Sequence, residues 1–198
     1  MMSELKDNPI EQFRLWLDDA LNEAIPEPTA MNLATTDSDG NLSSRMVLLK
    51  DVDERGFVFY TNYESRKAHD IESMANAALC FWWGTLERQI RIEGLVELVS
   101  EEESDAYFHT RPRGSQIGAI ASRQSSVINA YQELRDQVAE VENTYKDSES
   151  IPRPDYWGGY RVIPNSIEFW QGRPNRLHDR LRYFKETNGD WKIERLSP

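Results

Sequence analysis

The sequence predicts an α+β fold, a β-barrel core of antiparallel strands with helices inserted between them. Short runs rich in β-branched and aromatic residues recur along most of the chain, separated by turn signals such as SDGN and TNGD. Helical periodicity is confined to the N-terminus and a few inserted segments. No repeat, low-complexity tract or linker divides the chain. Residues 1–198 therefore read as one domain, with 1–27 as an N-terminal helix and lead-in and 28–198 as the barrel with its inserted helices.

The first element is a helix over residues 8–24, NPIEQFRLWLDDALNEA, capped by Asn8 with Pro9 at its first position. Ile10, Phe13, Leu17 and Leu21 form its expected apolar stripe, and Pro26 and Pro28 end it. AMNLATT, the turn SDGN and LSSRMVLLKDVD follow as a β-hairpin, and a second turn at Asp53–Gly56 leads to the strand GFVFYTN. SRKAHDIESM is a helix capped by Ser65, with Ala68, Ile71 and Met74 facing inward. AALCFWW and RQIRIEGLVELVS are two further strands. In the latter Ile90, Ile92, Leu95 and Val99 are the apolar positions, and Gly94 shifts the phase as a bulge would.

The middle is helical: EEESDAYFHT behind a Ser100 cap, SQIGAIAS, and a long helix SSVINAYQELRDQVAEVENTYK. The proline-rich IPRPDYWGG returns the chain to β-structure. YRVIPNSIEFWQG, RLHDRLRYFKE and DWKIERLS are the last strands. On an extended RLHDRLRYFKE, Arg176, His178, Arg180 and Arg182 would share one face.

Composition narrows the function. The net charge of −11 argues against broad binding to nucleic acid, so anion binding must be local. No apolar run approaches a membrane span, and MMSELKDNPIEQF lacks a secretory signal. The single cysteine, Cys80, excludes an intramolecular disulfide and fits a reducing cytoplasm. GxGxxG, GxxxxGK, CxxC, HExxH and GxSxG are all missing, and the three histidines are too scattered to suggest a metal centre.

The positive signals are bases and hydroxyls beside turns and helix starts. In RMVLLK, Arg45, Val47 and Leu49 share one face and Met46, Leu48 and Lys50 the other. Either the end residues merely reach water or Arg45 and Lys50 point charge into two different clefts. In TNYESRKAH, Arg66 and Lys67 follow a helix cap directly; bases in a first turn oppose the helix dipole and want an anion. YFHTRPRGSQIGA gathers Tyr107, Arg111, Arg113 and Ser115 around a helix junction, which suits a phosphate or is an ordinary helix end. SRQSS repeats the theme, although capping alone explains its serines. Gln89 carries little signal alone, and Trp82, Trp83, Trp157 and Trp170 fit a core or an interface better than a cofactor stack. Arg173 and Arg182 read as solvated.

Taken together, RMVLLK, FYTN..SRKAH, TLERQIRIEG, YFHTRPRGSQIGA, SRQSS, YWGGYRV, IEFWQG, RLHDR and WKIERLSP resemble the pyridoxamine 5'-phosphate oxidase family over about residues 28–198, in the same order. The resemblance implies an FMN-binding split β-barrel that forms a homodimer, with two FMN molecules at the subunit interface. It implies oxidation of pyridoxamine or pyridoxine 5'-phosphate to pyridoxal 5'-phosphate, with O2 as acceptor and H2O2 released. The flavin contacts it implies are Arg45, Met46, Val47, Leu48, Leu49, Lys50, Tyr60, Thr61, Arg66, Lys67, Gln89, Gln124, Ser125, Trp170 and Arg180. The implied substrate contacts are Lys50, Tyr107, Arg111, Ser115, Arg176, Leu177 and His178, with Arg176 and His178 orienting the reacting end. On this reading the segment around RLHDR is the shared wall between cofactor and substrate. Family members often carry a longer basic and aromatic arm that folds over the substrate; only MMSELKDN precedes the first helix here, which leaves closure open. Two alternatives stand beside the oxidase: a related flavin oxidase acting on a different ring, as in phenazine biosynthesis, and a flavin- or pyridoxal-phosphate-binding protein with little catalysis.

Overall fold

The computed structural model describes residues 5–198, so MMSE at the start of the N-terminal segment lies outside the described residues. The first helix, α1 (Pro9–Asn22), starts as expected: Asn8 Oδ1 accepts the Ile10 N–H at 2.8 Å and Pro9 occupies the first turn. Its buried stripe is Ile10, Phe13, Trp16 and Ala20, whereas Leu21 is 53% exposed. Each step of four residues advances the helix by about 400°, so positions 13, 17 and 21 drift off the core by about 40° per step.

Strands β1 (Ala30–Thr36) and β2 (Leu42–Leu48) form the expected hairpin. The single strand expected through LSSRMVLLKDVD is interrupted after Leu48. There the Leu49 N–H turns to Thr29 O and the Lys50 N–H to Val58 O, both at 2.8 Å. The chain thereby passes from β1 to the second hairpin, β3 (Asp51–Asp53) and β4 (Gly56–Asn62). Helix α2 (Arg66–Ser73) buries Ala68 and Ile71, but Met74 has already left helical geometry and is 40% exposed.

Strands β5 (Asn76–Trp83) and β6 (Arg88–Leu98) precede three helices, α3 (Glu101–Thr110), α4 (Arg113–Ala121) and α5 (Tyr131–Tyr145). Ser100 and Glu103 form a complete capping box on α3. The long helix expected from Ser125 begins only at Tyr131, because Glu133 reaches back to the N–H and side chain of Asn129 and sets the helix start there. The last strands are β7 (Trp157–Gln171), β8 (Asp179–Lys185) and β9 (Trp191–Leu196). The bulge at Gly94 is present, but its extra residue is Asn165 on β7, since Glu93 faces Ser166 and Gly94 faces Pro164. Alternation on β6 is therefore unbroken; Ile90, Ile92 and Val96 are buried and Leu95 is 55% exposed.

All strands pair antiparallel in one sheet of order β2-β1-β5-β6-β7-β4-β3, with β8 on β7 and β9 on β8. The long β7 pairs with β4 through its first half and with β8 through its second, so two strands share one of its edges and the sheet divides there. The core inside the sheet is closed by α1: Phe13 meets the Phe57 ring edge-on at 4.9 Å and Phe81 at 5.2 Å. A second cluster, Phe108, Ile117, Ile151 and Trp157, lies under α3 and α4. Among the described residues no helix is long and apolar enough to cross a membrane.

Candidate active site

Between β2, the end of β4, α2 and the α3–α4 junction lies a cleft of about 1030 Å³. Among the described residues five cations line it, Arg45, Lys50, Arg66, Lys67 and Arg111, and no carboxylate does. In a chain with 34 acidic residues that segregation needs a negative occupant. Arg45 and Lys50, read as either reaching water or pointing into two different clefts, line this one together.

At one end is the start of α2. Ser65 occupies the cap position, yet its hydroxyl makes no cap bond. It accepts instead from Lys67 Nζ at 3.0 Å; the same ammonium reaches Gln124 Oε1 at 2.8 Å and Thr61 Oγ1 at 3.1 Å. Burial, and then the Arg45 charge, pull the Lys67 pKa down to about 8, against the opposing pull of Asp70. The Arg66 N–H meets Ser125 Oγ at 3.3 Å. A buried lysine without a hydrogen-bonded carboxylate, an arginine and a helix start offer a donor set that fits a phosphate monoester.

The floor behind this end is a polar network under Arg45. Asp70 is buried and accepts from the Thr35 and Ser43 hydroxyls, each at 2.6 Å, while Arg45 Nη1 donates to Thr35 Oγ1 at 2.7 Å. Burial alone would raise the Asp70 pKa, but those hydroxyls and the Arg45 charge hold it below the usual carboxylate range. Asp70 thus ties α2 to β1 and β2 and fixes the arginine that faces the cleft.

The other end is aromatic. Tyr60 and Tyr107 stack with centroids 4.0 Å apart, and Trp157 lies parallel to both at 5.6 and 6.2 Å. The chain reaches this packing because Gly159 has no side chain; a Cβ there would sit 2.7 Å from the Tyr60 ring and 2.6 Å from Val99. Arg111 lies 4.5 Å over Trp157 and 5.6 Å over Phe108. Its Nη1 is buried with no hydrogen-bond partner among the described residues, and desolvation pulls its pKa down. A guanidinium held by ring faces and left without an acid is set up to receive an anion. Ser115, in the first turn of α4, and Lys50 complete that end.

The cleft gathers fourteen of the expected site residues: Arg45, Met46, Val47, Leu48, Lys50, Tyr60, Thr61, Arg66, Lys67, Tyr107, Arg111, Ser115, Gln124 and Ser125. Leu49 is not among them; just past the end of β2 its side chain is buried in the core. Trp157 and Asn62 line the cleft without having been expected there. The aromatic character of Trp157 was visible in the sequence, but its role as a platform depends on meeting Arg111 in space.

The remaining expected residues form a second constellation that does not line the cleft. Gln89 faces Trp170 across β6 and β7, and Trp170 faces Arg180 across β7 and β8, so the three stand side by side. Arg180 is engaged by Glu168 at 2.7 Å and by Ser197 O at 3.0 Å. His178 packs its ring 4.5 Å from Trp170, Arg176 is exposed, and Leu177 is 69% exposed. Arg176 and His178 do not sit on one face of a strand with Arg180, because Pro174–Arg176 is a tight turn and β8 begins only at Asp179. Nor is this segment a wall of the cleft within one chain. Arg173, expected to be merely solvated, pairs with Asp179 at 3.0 Å.

Comparison with known proteins places this arrangement. Residues 17–145 match the family model described as pyridoxamine 5'-phosphate oxidase, and residues 157–198 match that of the pyridoxine 5'-phosphate oxidase C-terminal dimerisation region. A pyridoxine/pyridoxamine 5'-phosphate oxidase of Thermosynechococcus vestitus is 58% identical over 99% of this chain and 92% of its own. The corresponding protein of Bordetella petrii is 60% identical over 96% of this chain and 90% of its own. Among solved structures, PhzG from Burkholderia lata, in complex with tetrahydrophenazine-1-carboxylic acid, superposes with a TM-score of 0.93 at 34% identity, over 98% of this chain and 95% of its own. A pyridoxamine 5'-phosphate oxidase-related, FMN-binding protein from Nostoc punctiforme shares the fold, with a TM-score of 0.73 at 17% identity over 94% of this chain and 97% of its own.

Proposed function

The chain belongs to the pyridoxamine 5'-phosphate oxidase family, and we infer from that premise how its cleft and its second constellation divide the work of an FMN-dependent oxidase. Its reaction converts pyridoxamine or pyridoxine 5'-phosphate to pyridoxal 5'-phosphate. The fold is the split β-barrel of its relatives, read here as one FMN-binding domain across both matched regions. When bound, FMN supplies the two-electron oxidation and passes the electrons to O2, which leaves as H2O2.

Two phosphates need two donor sets, and the observation that carries the assignment is a cleft lined, among the described residues, by five cations and no acid. Lys67, Arg66, Ser125 and the start of α2 hold the FMN phosphate, with Thr61 and Gln124 beside them for the ribityl chain. Met46, Val47, Leu48 and Arg45 flank the flavin along β2. Lys50, Tyr107, Arg111 and Ser115 hold the substrate phosphate, with Trp157 keeping Arg111 in place. The rings of Tyr60, Tyr107 and Trp157 also keep water away from that end, which strengthens the charge-assisted bonds there.

Gln89, Trp170, Arg180, Arg176 and His178 stand apart from the cleft in one chain, yet they share a constellation and four of them lie in the dimerisation region. The reading that accommodates them is a homodimer in which this constellation of one copy completes the cleft of the other, with FMN at the interface. The exposed apolar Met46 and Leu48 on β2, and Trp82 and Leu177 near the second constellation, supply surface for such a contact. There Arg176 and His178 orient the carbon to be oxidised, and the phosphate anchors set its distance. The work is placed in the cytoplasm, in keeping with the single cysteine.

The test is reconstitution with FMN followed by oxygen consumption with pyridoxamine 5'-phosphate and pyridoxine 5'-phosphate. A flavin spectrum and aldehyde product are expected; protein that takes up no FMN would overturn the reading. The similarity to PhzG favours one other reading, oxidation of an unphosphorylated ring acid. Turnover of such an acid in preference to the phosphorylated vitamers would establish it.

A further inference from the structure

The turn that carries Arg176 and His178 is the most constrained segment of the second constellation. Gln171 and Asp179 pair across β7 and β8, and residues 172–178 close the loop between them. Within it Asn175 and Arg176 adopt left-handed backbone, with φ of 59° and 61°, although neither is glycine. Two successive side-chain-bearing residues in that region do not persist unless their surroundings impose it.

The imposing contacts converge on Arg173. Its backbone N–H donates to Nδ1 of His178 at 3.1 Å, and its Nε donates to Oδ2 of Asp179 at 3.0 Å. The other carboxylate oxygen of Asp179 is taken by Arg195 Nη1 at 2.8 Å, so the aspartate is held on both sides. Trp170 supports the imidazole from one side at 4.5 Å. A backbone N–H can only donate, so Nδ1 is the acceptor and a neutral His178 carries its proton on Nε2. Arg176 has no hydrogen-bond or ion-pair partner among the described residues.

We propose that Arg173 is a positioning residue for the oxidase reaction. Its side chain anchors the turn to Asp179, and its N–H fixes the His178 tautomer. His178 then presents Nε2–H as a donor while Arg176 projects from the left-handed turn toward the same ligand. This rests on the reading that Arg176 and His178 meet the substrate. Arg173 itself touches neither substrate nor flavin, so its effect must be transmitted through the orientation of its neighbours.

The chain has only three histidines, His69, His109 and His178, so long-range proton–nitrogen correlation spectra of the ¹⁵N-labelled FMN-loaded protein are readily assigned with H178Q as the reference. The expected wild-type signature is a protonated Nε2 and an acceptor Nδ1 at His178. In R173A those nitrogen shifts move toward a tautomer mixture, and kcat falls roughly tenfold while KM changes less than about twofold, because the phosphate anchors are intact. FMN content stays at the wild-type level, and R173K, which keeps a donor for Asp179, returns both readouts toward wild type. A wild-type His178 that is protonated on Nδ1 or tautomerically mixed overturns the proposal. So does an R173A protein with unchanged shifts or unchanged kcat. An H178Q protein with wild-type turnover would overturn the substrate-contact reading on which the proposal rests, whatever the nitrogen shifts show.

Discussion

Lys67 and Arg111 show how two cations in one cleft are held without a hydrogen-bonded carboxylate in different ways. Lys67 is surrounded by hydroxyl and amide oxygens, and burial with the Arg45 charge brings its pKa to about 8. A bound phosphate favours the ammonium and raises that value again, so FMN binding above pH 8 must take up a proton. The FMN dissociation constant should be flat from pH 7 to about 8 and then rise by at most about tenfold per pH unit, in step with deprotonation of the free protein. Arg45 and Asp70 act on the same ammonium; the Arg45 guanidinium keeps its charge and Asp70, held below the usual carboxylate range, stays ionised there, so Lys67 sets the slope. Fluorescence titration of FMN against apoprotein measures it, and Lys67→Gln should flatten the curve. Arg111 is held by aromatic faces and gives up no hydrogen bond through Nη1 when replaced. Arg111→Met should leave the melting temperature and FMN content unchanged while kcat/KM for the phosphorylated vitamers falls about 10- to 100-fold, the loss expected for one charge-assisted bond. Steady-state kinetics beside a thermal melt separate the two effects.

At the scale of elements, the position of α2 decides whether the anion site exists. Helix α2 spans only Arg66–Ser73, too short to be stable alone, and places two bases in its first turn. Packing of Ala68 and Ile71 and the Asp70 bonds to Thr35 and Ser43 hold it against the hairpin of β1 and β2. Asp70→Asn should therefore cost about 1–3 kcal/mol in urea unfolding, because at least one buried hydroxyl bond to the carboxylate is weakened and Arg45 loses its counter-charge. It should also weaken FMN binding several-fold although Asp70 does not line the cleft. The sign with pH follows from its lowered pKa: this contribution is present above about pH 4 and is lost as pH falls through the folded value, so wild type and Asp70→Asn should converge in stability in acid.

For the whole molecule, the proposed completion of one copy's cleft by the other's second constellation would make dimerisation part of the chemistry. If each active site takes its cleft from one copy and Arg176 with His178 from the other, defects in the two constellations must complement. Arg111→Met and His178→Gln proteins, each weakly active alone, should regain activity when unfolded together and refolded as mixed dimers. Random pairing puts half the dimers in the mixed form with one intact site each, so recovery of about a quarter of wild-type activity is the expected ceiling. Recovery no greater than the sum of the separate proteins would place the whole active site in one chain.

Much of this was written in local pattern. The strand and turn alternation, the Asn8 and Ser100 caps and the antiparallel class follow from rules that act over a few residues, and the structure carries them. The run of family motifs marked fourteen residues that do share a cleft. Other features were set by contacts between segments far apart in the chain. The α1 stripe ran through Trp16 and Ala20 because the core lay on that side, and the bulge belonged to β7 because register is a property of two strands; α5 started late for a local reason, the reach of Glu133 back to Asn129. Arg173 looked solvated because its partners, His178 and Asp179, become neighbours only when the chain turns back on itself. The sequence by itself determined the residue types that phosphates and a flavin require. Only the tertiary structure decided that they fall into two constellations, because β7 shares one edge between β4 and β8, and its second half with β8 and the turn between them holds Trp170, His178 and Arg180 away from the cleft that Lys67 and Arg111 define.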